Sequence, residues 1–357
     1  METTGNISEL ASFIEADAEQ VRKLLSFLNK SDVRLRVIDK NLGGNNTVLK
    51  LMIEDETYAL KKYNLSKVDK RNRMNTEWDF TNLVKNVCGE LPVPSPIAVN
   101  KDAGLAIFEF IEGTSIEANS LTTPDVLNAA DFIRKLNSPT MRKNASHLPN
   151  ASDAEFSILG HINFLQNKLS ELKHIKRNTK LLQPLAREIH TYLEKSIKNI
   201  LWLARDEGID ESAEIPLNER CLSPSDFGYH NAIKRNTGSL AFIDFEYAGW
   251  DDPAKLFADF FLQPKVPVPE KYEDLFLKSC LSHLGENKLL KHKRRANLLK
   301  PFFRLRWCFI LLNPLREEWA ITRGLDKDKT AYEETCISRV NSAAELLKFA
   351  VKKSNFS

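Results

Sequence analysis

No Cys-x-x-Cys pair and no His or Cys cluster at ligand spacing occurs in the 357 residues, which excludes the common structural zinc sites. The five cysteines (Cys88, Cys221, Cys280, Cys308 and Cys336) are scattered and odd in number, as free thiols of a reducing compartment are. Charge of one sign is lacking as well: a formal net charge of +3 is too small to imply nucleic acid or a membrane surface as a partner. The densest apolar run, Trp307-Cys-Phe-Ile-Leu-Leu312, is far short of a membrane span. Met1-Glu-Thr-Thr-Gly-Asn6 lacks the basic flank and apolar run of a signal peptide. Internal repeats and low-complexity tracts are missing too. These absences set the expectation of a cytoplasmic protein, monomer or homodimer, with no nucleic-acid and no membrane partner.

What is there is ordinary for a soluble globular protein, with 42% hydrophobic and 28% charged residues, and the chain is long enough for two domains. Residues 8–28 carry Leu10, Phe13, Ile14, Val21, Leu24, Leu25 and Leu28 at helical spacing, with Ser8 as N-cap, and read as one amphipathic helix. Strand patterns follow at 33–38, 47–53 and 58–63. Between the first two lies Asn41-Leu-Gly-Gly-Asn-Asn-Thr47, where Gly43, Gly44 and Asn45 fit either a simple hairpin turn or a loop whose amides approach a phosphate.

Tyr58-Ala-Leu-Lys-Lys-Tyr63 puts lysine among apolar neighbours. Alternation places Lys61 on the face of Ala59 and Tyr63, and Lys62 on the other; a lysine on an inner face needs a carboxylate or phosphate. A helix over 70–87 carries Glu77, which can reach Lys61 or simply face solvent. Pro92-Val-Pro-Ser-Pro96 is a rigid connector into a hairpin over 97–111, and strands stop beyond Gly113. Helices are expected at 123–136, ended by Ser138-Pro-Thr140, at 154–175, at 184–205 with Pro184 in the first turn, at 256–262 and at 301–312. His161, His174 and His190 have no partner at ligand spacing and read as packing or surface residues. The basic run from Lys288 to Lys300 reads as a solvated helix face.

The most informative stretch is residues 223–253. It predicts two short strands, 231–234 and 240–245, joined by Arg235-Asn-Thr-Gly238. Asp226 and Asn231 precede the first strand and Asp244 closes the second, so a tight hairpin gathers two carboxylates and a carboxamide. An oxygen-rich point with few ligands suits magnesium, which keeps several waters and borrows substrate phosphates.

With Lys61, Glu77, Asp226, Asn231 and Asp244 in this order, the chain resembles the aminoglycoside phosphotransferase and choline kinase group of kinase-like enzymes. The resemblance runs from about Val37 to Leu315. It is carried by an Ala-x-Lys strand, Asp226-Phe-Gly-Tyr-His-Asn231, and Phe242-Ile-Asp-Phe-Glu-Tyr-Ala-Gly-Trp-Asp-Asp-Pro253. It implies an α+β, bilobal protein-kinase-like fold. Residues 1–35 would be a helical extension, 36–112 a β-rich nucleotide-binding N-lobe, and 113–357 a helix-rich C-lobe with the catalytic, metal and substrate site. ATP would lie in the cleft, with GTP an open alternative, and Glu109, Phe110 and Ile111 would form the hinge beside adenine. Lys61 would bind the α/β-phosphates and Glu77 would hold Lys61; Asn231 and Asp244 would ligate Mg2+; Asp226 would orient or deprotonate a substrate hydroxyl. Such roles fit phosphoryl transfer, which needs charge neutralisation and alignment more than a strong base.

The pattern also departs from the family. Pro224-Ser225 stands where a histidine and spacer usually precede the aspartate, Glu246 replaces the glycine of the protein-kinase Asp-Phe-Gly, and Leu256 stands at the second aspartate of Asp-Pro-x-x-Asp, with Asp259 a helical turn on. The expected reaction is transfer of the ATP γ-phosphate to a hydroxyl of a sugar, polyol, amino-alcohol or aminoglycoside. The chain after Pro253 is not markedly acidic, which favours the first three over a polycationic antibiotic. The alternatives are a nucleotide-binding pseudokinase and a protein kinase; the latter conflicts with the lack of an Ala-Pro-Glu segment after Asp244.

Overall fold

A computed structural model of the chain describes residues 3–28, 35–42, 46–64, 71–175, 179–281, 284–321, 325 and 328–354. The turn residues Gly43, Gly44 and Asn45 lie outside them. In chain order the first elements are β1 (Thr3–Gly5), α1 (Ile7–Phe13), α2 (Ala18–Leu25), β2 (Leu35–Leu42), β3 (Asn46–Ile53), β4 (Glu56–Tyr63) and α3 (Arg73–Val87). Next come β5 (Pro96–Asn100), β6 (Leu105–Glu109), β7 (Thr114–Ser115), α4 (Thr123–Leu136), α5 (Pro139–Asn144), α6 (Ile158–Leu172) and α7 (Thr179–Asp206). The rest are β8 (Cys221–Ser223), β9 (Ala232–Lys234), β10 (Leu240–Phe242), β11 (Gly249–Asp251), α8 (Pro253–Leu262), α9 (Glu273–Cys280), α10 (Glu286–Leu312), α11 (Glu317–Ile321) and α12 (Lys329–Lys353). The chain forms two compact units, one of residues 1–116, 135–152 and 229–249, the other of 117–134, 153–228 and 250–357.

The first unit is built on an antiparallel sheet of order β1-β2-β3-β4-β6-β5. Strand alternation sorts its side chains onto two faces. Leu49, Leu51, Ile53, Leu60, Leu105 and Ile107 form one face and bury Val21, Leu24 and Leu25 of α2 and Leu10 of α1. Fully burying each such side chain contributes about 1.5–3 kcal/mol. On the opposite face Tyr63, Ala106 and Phe108 pack with Met74 and Trp78 of α3. The N-terminal segment differs from the single helix expected. Asn6, not Ser8, is the N-cap of α1, accepting from Ser8 N and Glu9 N at 3.0 and 3.1 Å. The helix then breaks at Glu15 (φ 52°), and Asp17 caps a second helix by accepting from Glu19 N.

Two further departures have physical causes. A short strand, β7, follows Gly113 and pairs with β9. Gly113 has φ +152°, and a Cβ there would lie 2.4 Å from the Lys234 carbonyl oxygen, so only glycine lets the two backbones approach this closely. In the second unit α7 and α10 begin well before Pro184 and Pro301, which sit inside them. An interior proline costs roughly 3 kcal/mol, and α10 offsets it by burying Leu299, Phe302, Phe303, Leu305 and Phe309 around Pro301.

The second unit is otherwise helical, with β8 beside β11. Its core includes the rings of Phe132, Phe227, Phe260 and Phe276; Phe260 and Phe276 stack at 4.2 Å. The basic run is a solvated face in part, with the Lys288 and Lys291 side chains 43% and 62% exposed, and several of its cations also face carboxylates. Lys288 and Lys291 flank Glu219, Lys293 meets Asp274 at 2.6 Å, Arg295 meets Asp252 at 2.8 Å and Lys300 meets Glu273 at 2.7 Å. His161 is a packing residue, its ring edge-on to Phe303 and its Nε2 3.2 Å from Asp252. Among the described residues no helix is long and apolar enough to cross a membrane.

Candidate active site

In the first unit the β4 lysines point to opposite faces. Lys62 Nζ donates to the carbonyls of Ile14 and Glu15 at 2.6 and 2.9 Å, closing the C-terminal end of α1. Lys61 Nζ donates to both Glu77 oxygens at 2.7 and 2.9 Å and to Asp244 Oδ1 at 3.1 Å. Tyr63, two residues on along the same face, donates its hydroxyl to Glu77 Oε2 at 2.6 Å. Burial alone would lower the Lys61 pKa, but the charges of Asp244 and Glu77, the Glu77 hydrogen bond and Glu246 outweigh it, so the ammonium is held well above its ordinary range. Burial pushes the Tyr63 phenol up as well, which keeps it a neutral donor to Glu77.

The β9–β10 hairpin delivers Asp244 to this lysine. Its register pairs Leu240 with Lys234 and Phe242 with Ala232, and Gly238 (φ 82°) lies in the turn. At the open end Ile243 N donates to Asn231 O at 2.9 Å, which sets Asn231 alongside the residue before Asp244. Phe245 is fully buried, stacks on Phe80 of α3 at 5.0 Å and donates its N–H to Glu77 Oε1 at 3.4 Å. These anchors fix Asp244 in the left-handed region (φ 69°), which a short polar side chain tolerates better than most. Glu246 does not face solvent: it is buried, accepts from the Asn46 side chain at the start of β3, and its charge is among those raising the Lys61 pKa.

Asn231 and Asp244 offer a carboxamide and a carboxylate at one hairpin end, with the Asp244 side chain 37% exposed. No cluster of three or more His, Cys, Asp or Glu side chains able to hold a metal occurs among the described residues. Two hard oxygen donors fit magnesium, which completes its shell with water and phosphate oxygens, better than a metal needing an all-protein cage. Elsewhere in this unit Glu109 ends β6 with its carboxylate accepting from Ser95 N and Oγ at 3.1 and 2.8 Å, Lys50 Nζ lies 4.3 Å over the Phe110 ring, and Ile111 is buried.

Asp226 belongs to the second unit. It is bracketed by Phe227, stacked between Phe132 and Phe260 at 5.8 and 5.2 Å, and by Ser225, which has φ 66°. Ser225 N donates to Ser223 Oγ at 2.9 Å, and Ser225 Oγ accepts from Lys255 Nζ at 2.7 Å. Lys255 also donates to Asp251 Oδ2 and Asp259 Oδ2 at 2.7 and 3.0 Å. Sequence reasoning passed over Lys255. Its signal was the Asp251, Lys255, Asp259 spacing of four: Lys255 and Asp259 share one face of α8, and Asp251, at the end of β11, supplies the second carboxylate.

The fold is the one shared by aminoglycoside phosphotransferases and by choline and ethanolamine kinases. The choline kinase of Cryptosporidium parvum aligns with 89% of this chain and 90% of its own at 13% identity and a TM-score of 0.57. The ethanolamine kinase of Plasmodium vivax covers 94% of this chain and 85% of its own at 15% identity and 0.55. A spectinomycin phosphotransferase, solved with ADP and spectinomycin, covers 90% and 93% at 11% identity and 0.57. No protein-family model matches the chain, and no curated protein matches it in sequence.

Proposed function

We propose that this protein is an ATP-dependent phosphotransferase that moves the γ-phosphate to a hydroxyl of a small molecule. The observation that carries the reading is the buried ammonium of Lys61, held by Glu77 and Asp244 in a fold whose solved examples include small-molecule kinases bound to ADP and to AMP. In this reading residues 36–112 form the nucleotide-binding lobe, 113–357 the catalytic and substrate lobe, and 1–35 a helical extension. Lys61 meets the α/β-phosphates, with Glu77 and Tyr63 fixing its ammonium. Gly43, Gly44 and Asn45, which lie outside the described residues, are assigned to the phosphates, and the backbone of Glu109, Phe110 and Ile111 to adenine. Asn231 and Asp244 hold magnesium, whose charge offsets that of the phosphates. Asp226 aligns the acceptor hydroxyl and takes its proton as the new O–P bond forms and ADP leaves.

The acceptor class favoured is a sugar, polyol or amino-alcohol. Lys288, Lys291, Lys293, Arg295 and Lys300 are matched to carboxylates, so they supply no argument for an anionic acceptor. The test is ATP consumption, and separately GTP consumption, over a panel of sugars, polyols, amino-alcohols and aminoglycosides. At least one acceptor should give turnover, and Asp226→Asn should cut it by roughly 10²–10⁴, the scale of general acid–base contributions. A wild-type protein that binds Mg·ATP yet turns over no acceptor would replace this reading with the pseudokinase.

A further inference from the structure

We infer that Lys255 is a positioning residue for Asp226, acting through the Ser225 hydroxyl. The inference rests on Asp226 being the catalytic aspartate. Ser225, immediately before it, adopts a left-handed backbone (φ 66°) that a side chain with a Cβ does not take without support. That support is a hydrogen bond at each end of the residue: its N–H to Ser223 Oγ at 2.9 Å and its hydroxyl to Lys255 Nζ at 2.7 Å. Lys255 has no exposed surface, and its three ammonium hydrogens meet three acceptors: Ser225 Oγ, Asp251 Oδ2 and Asp259 Oδ2. Asp251 has no exposed surface either, Asp259 is 5% exposed and Ser225 9%.

A buried lysine between two carboxylates is a poor way to gain stability, because desolvation offsets most of the attraction and apolar residues in place of all three would do as well. Geometric definition is the better account of its presence. Asp251 lies in β11 and Asp259 in α8, so the ammonium ties strand and helix to the Asp226 loop at one point. The loop is close enough that the Asp226 charge is among those raising Asp259. The cluster sits where the chain departs from its relatives. Pro224-Ser225 takes the place of the usual histidine and spacer, and Leu256 takes that of the second aspartate. Lys255 holds the loop at this point through Ser225.

The test uses Ser225→Ala, Lys255→Met and Asp226→Asn, with Ser225→Ala also combined with Asp226→Asn, on the best acceptor of the panel. Ser225→Ala keeps the same backbone demand and removes only the hydroxyl. It should lower kcat about ten- to a hundredfold, the cost of a misplacement on the order of an ångström, while KM for ATP holds; the melting temperature should fall, because the buried Lys255 ammonium loses an acceptor. In the Asp226→Asn background it should cost nothing more, because the two act as one unit. Lys255→Met should reproduce the kcat loss if it folds; if it does not, Ser225→Ala decides alone. Unchanged kcat in Ser225→Ala, or losses that multiply in the double variant, overturn the inference while Asp226→Asn remains impaired. Full turnover in Asp226→Asn overturns the functional reading and this inference with it.

Discussion

Lys61 and Lys62 are chemically identical, adjacent on one strand, and separated only by the pleat. One ends between Glu77 and Asp244, the other on the two backbone carbonyls that follow α1. Their substitutions should therefore fail differently. Lys61→Ala leaves Glu77 and Asp244 facing each other without a cation and should abolish Mg·ATP-dependent turnover. Lys62→Ala should leave turnover intact and lower stability by about 1.5–3 kcal/mol, the range for hydrogen bonds made by a charged group, read from urea unfolding. The reverse pattern would put Lys62 at the nucleotide. At this scale the facing of Lys61 and its reach to Glu77 are legible, because period-two alternation is local. The burial of Glu246 against Asn46 is not, since it joins residues 200 positions apart.

Among the elements, α8 shows how one side chain serves two scales. Asp252 caps it by accepting from Ala254 N at 2.8 Å through Oδ1, while Oδ2 faces Arg295 at 2.8 Å and His161 at 3.2 Å. Burial alone would raise its pKa, but Arg295 and His161 pull it well below the usual carboxylate range. A carboxylate depressed in the folded state stabilises above its unfolded pKa of about 3.9 and loses that contribution as pH falls below it. Asp252→Asn should cost about 3–5 kcal/mol near neutrality, the price of stranding a buried partner. The gap to wild type should narrow as pH drops through about 4; a gap independent of pH would mean the charge is not what Arg295 holds. Burial raises Asp251 to about 6 despite Lys255, with the opposite sign: between about 3.9 and 6 that group favours the folded state as pH falls, so the comparison must be with the Asp252 variant rather than with the wild-type curve alone. The α4 bounds follow from apolar periodicity. The α1–α2 break and the early start of α10 do not, because tertiary contacts at Lys62 and around Pro301 override local preference.

For the molecule as a whole, the switch from strand to helix patterns is written in composition. The return of the chain to its first unit at 135–152 and 229–249 is not. It depends on long-range pairings such as β7 with β9 and Phe242 N with the Pro92 carbonyl, which leave no local mark. The candidate site shares this character, with Lys61, Glu77 and Asp244 separated by 16 and 183 positions along the chain before they meet. A ligand that binds only the assembled site must therefore stabilise the fold by mass action. At a hundred times its Kd, Mg·ATP should add about 2.7 kcal/mol, seen as a rise in melting temperature. Asp244→Ala should keep whatever rise ATP gives with EDTA present but lose the part that requires magnesium, because on the proposed assignment it removes a metal ligand and leaves Lys61 paired to Glu77. A magnesium-dependent rise undiminished in Asp244→Ala would remove Asp244 from the metal site. An equal rise with GTP would show that the site selects triphosphate and metal before it selects the base.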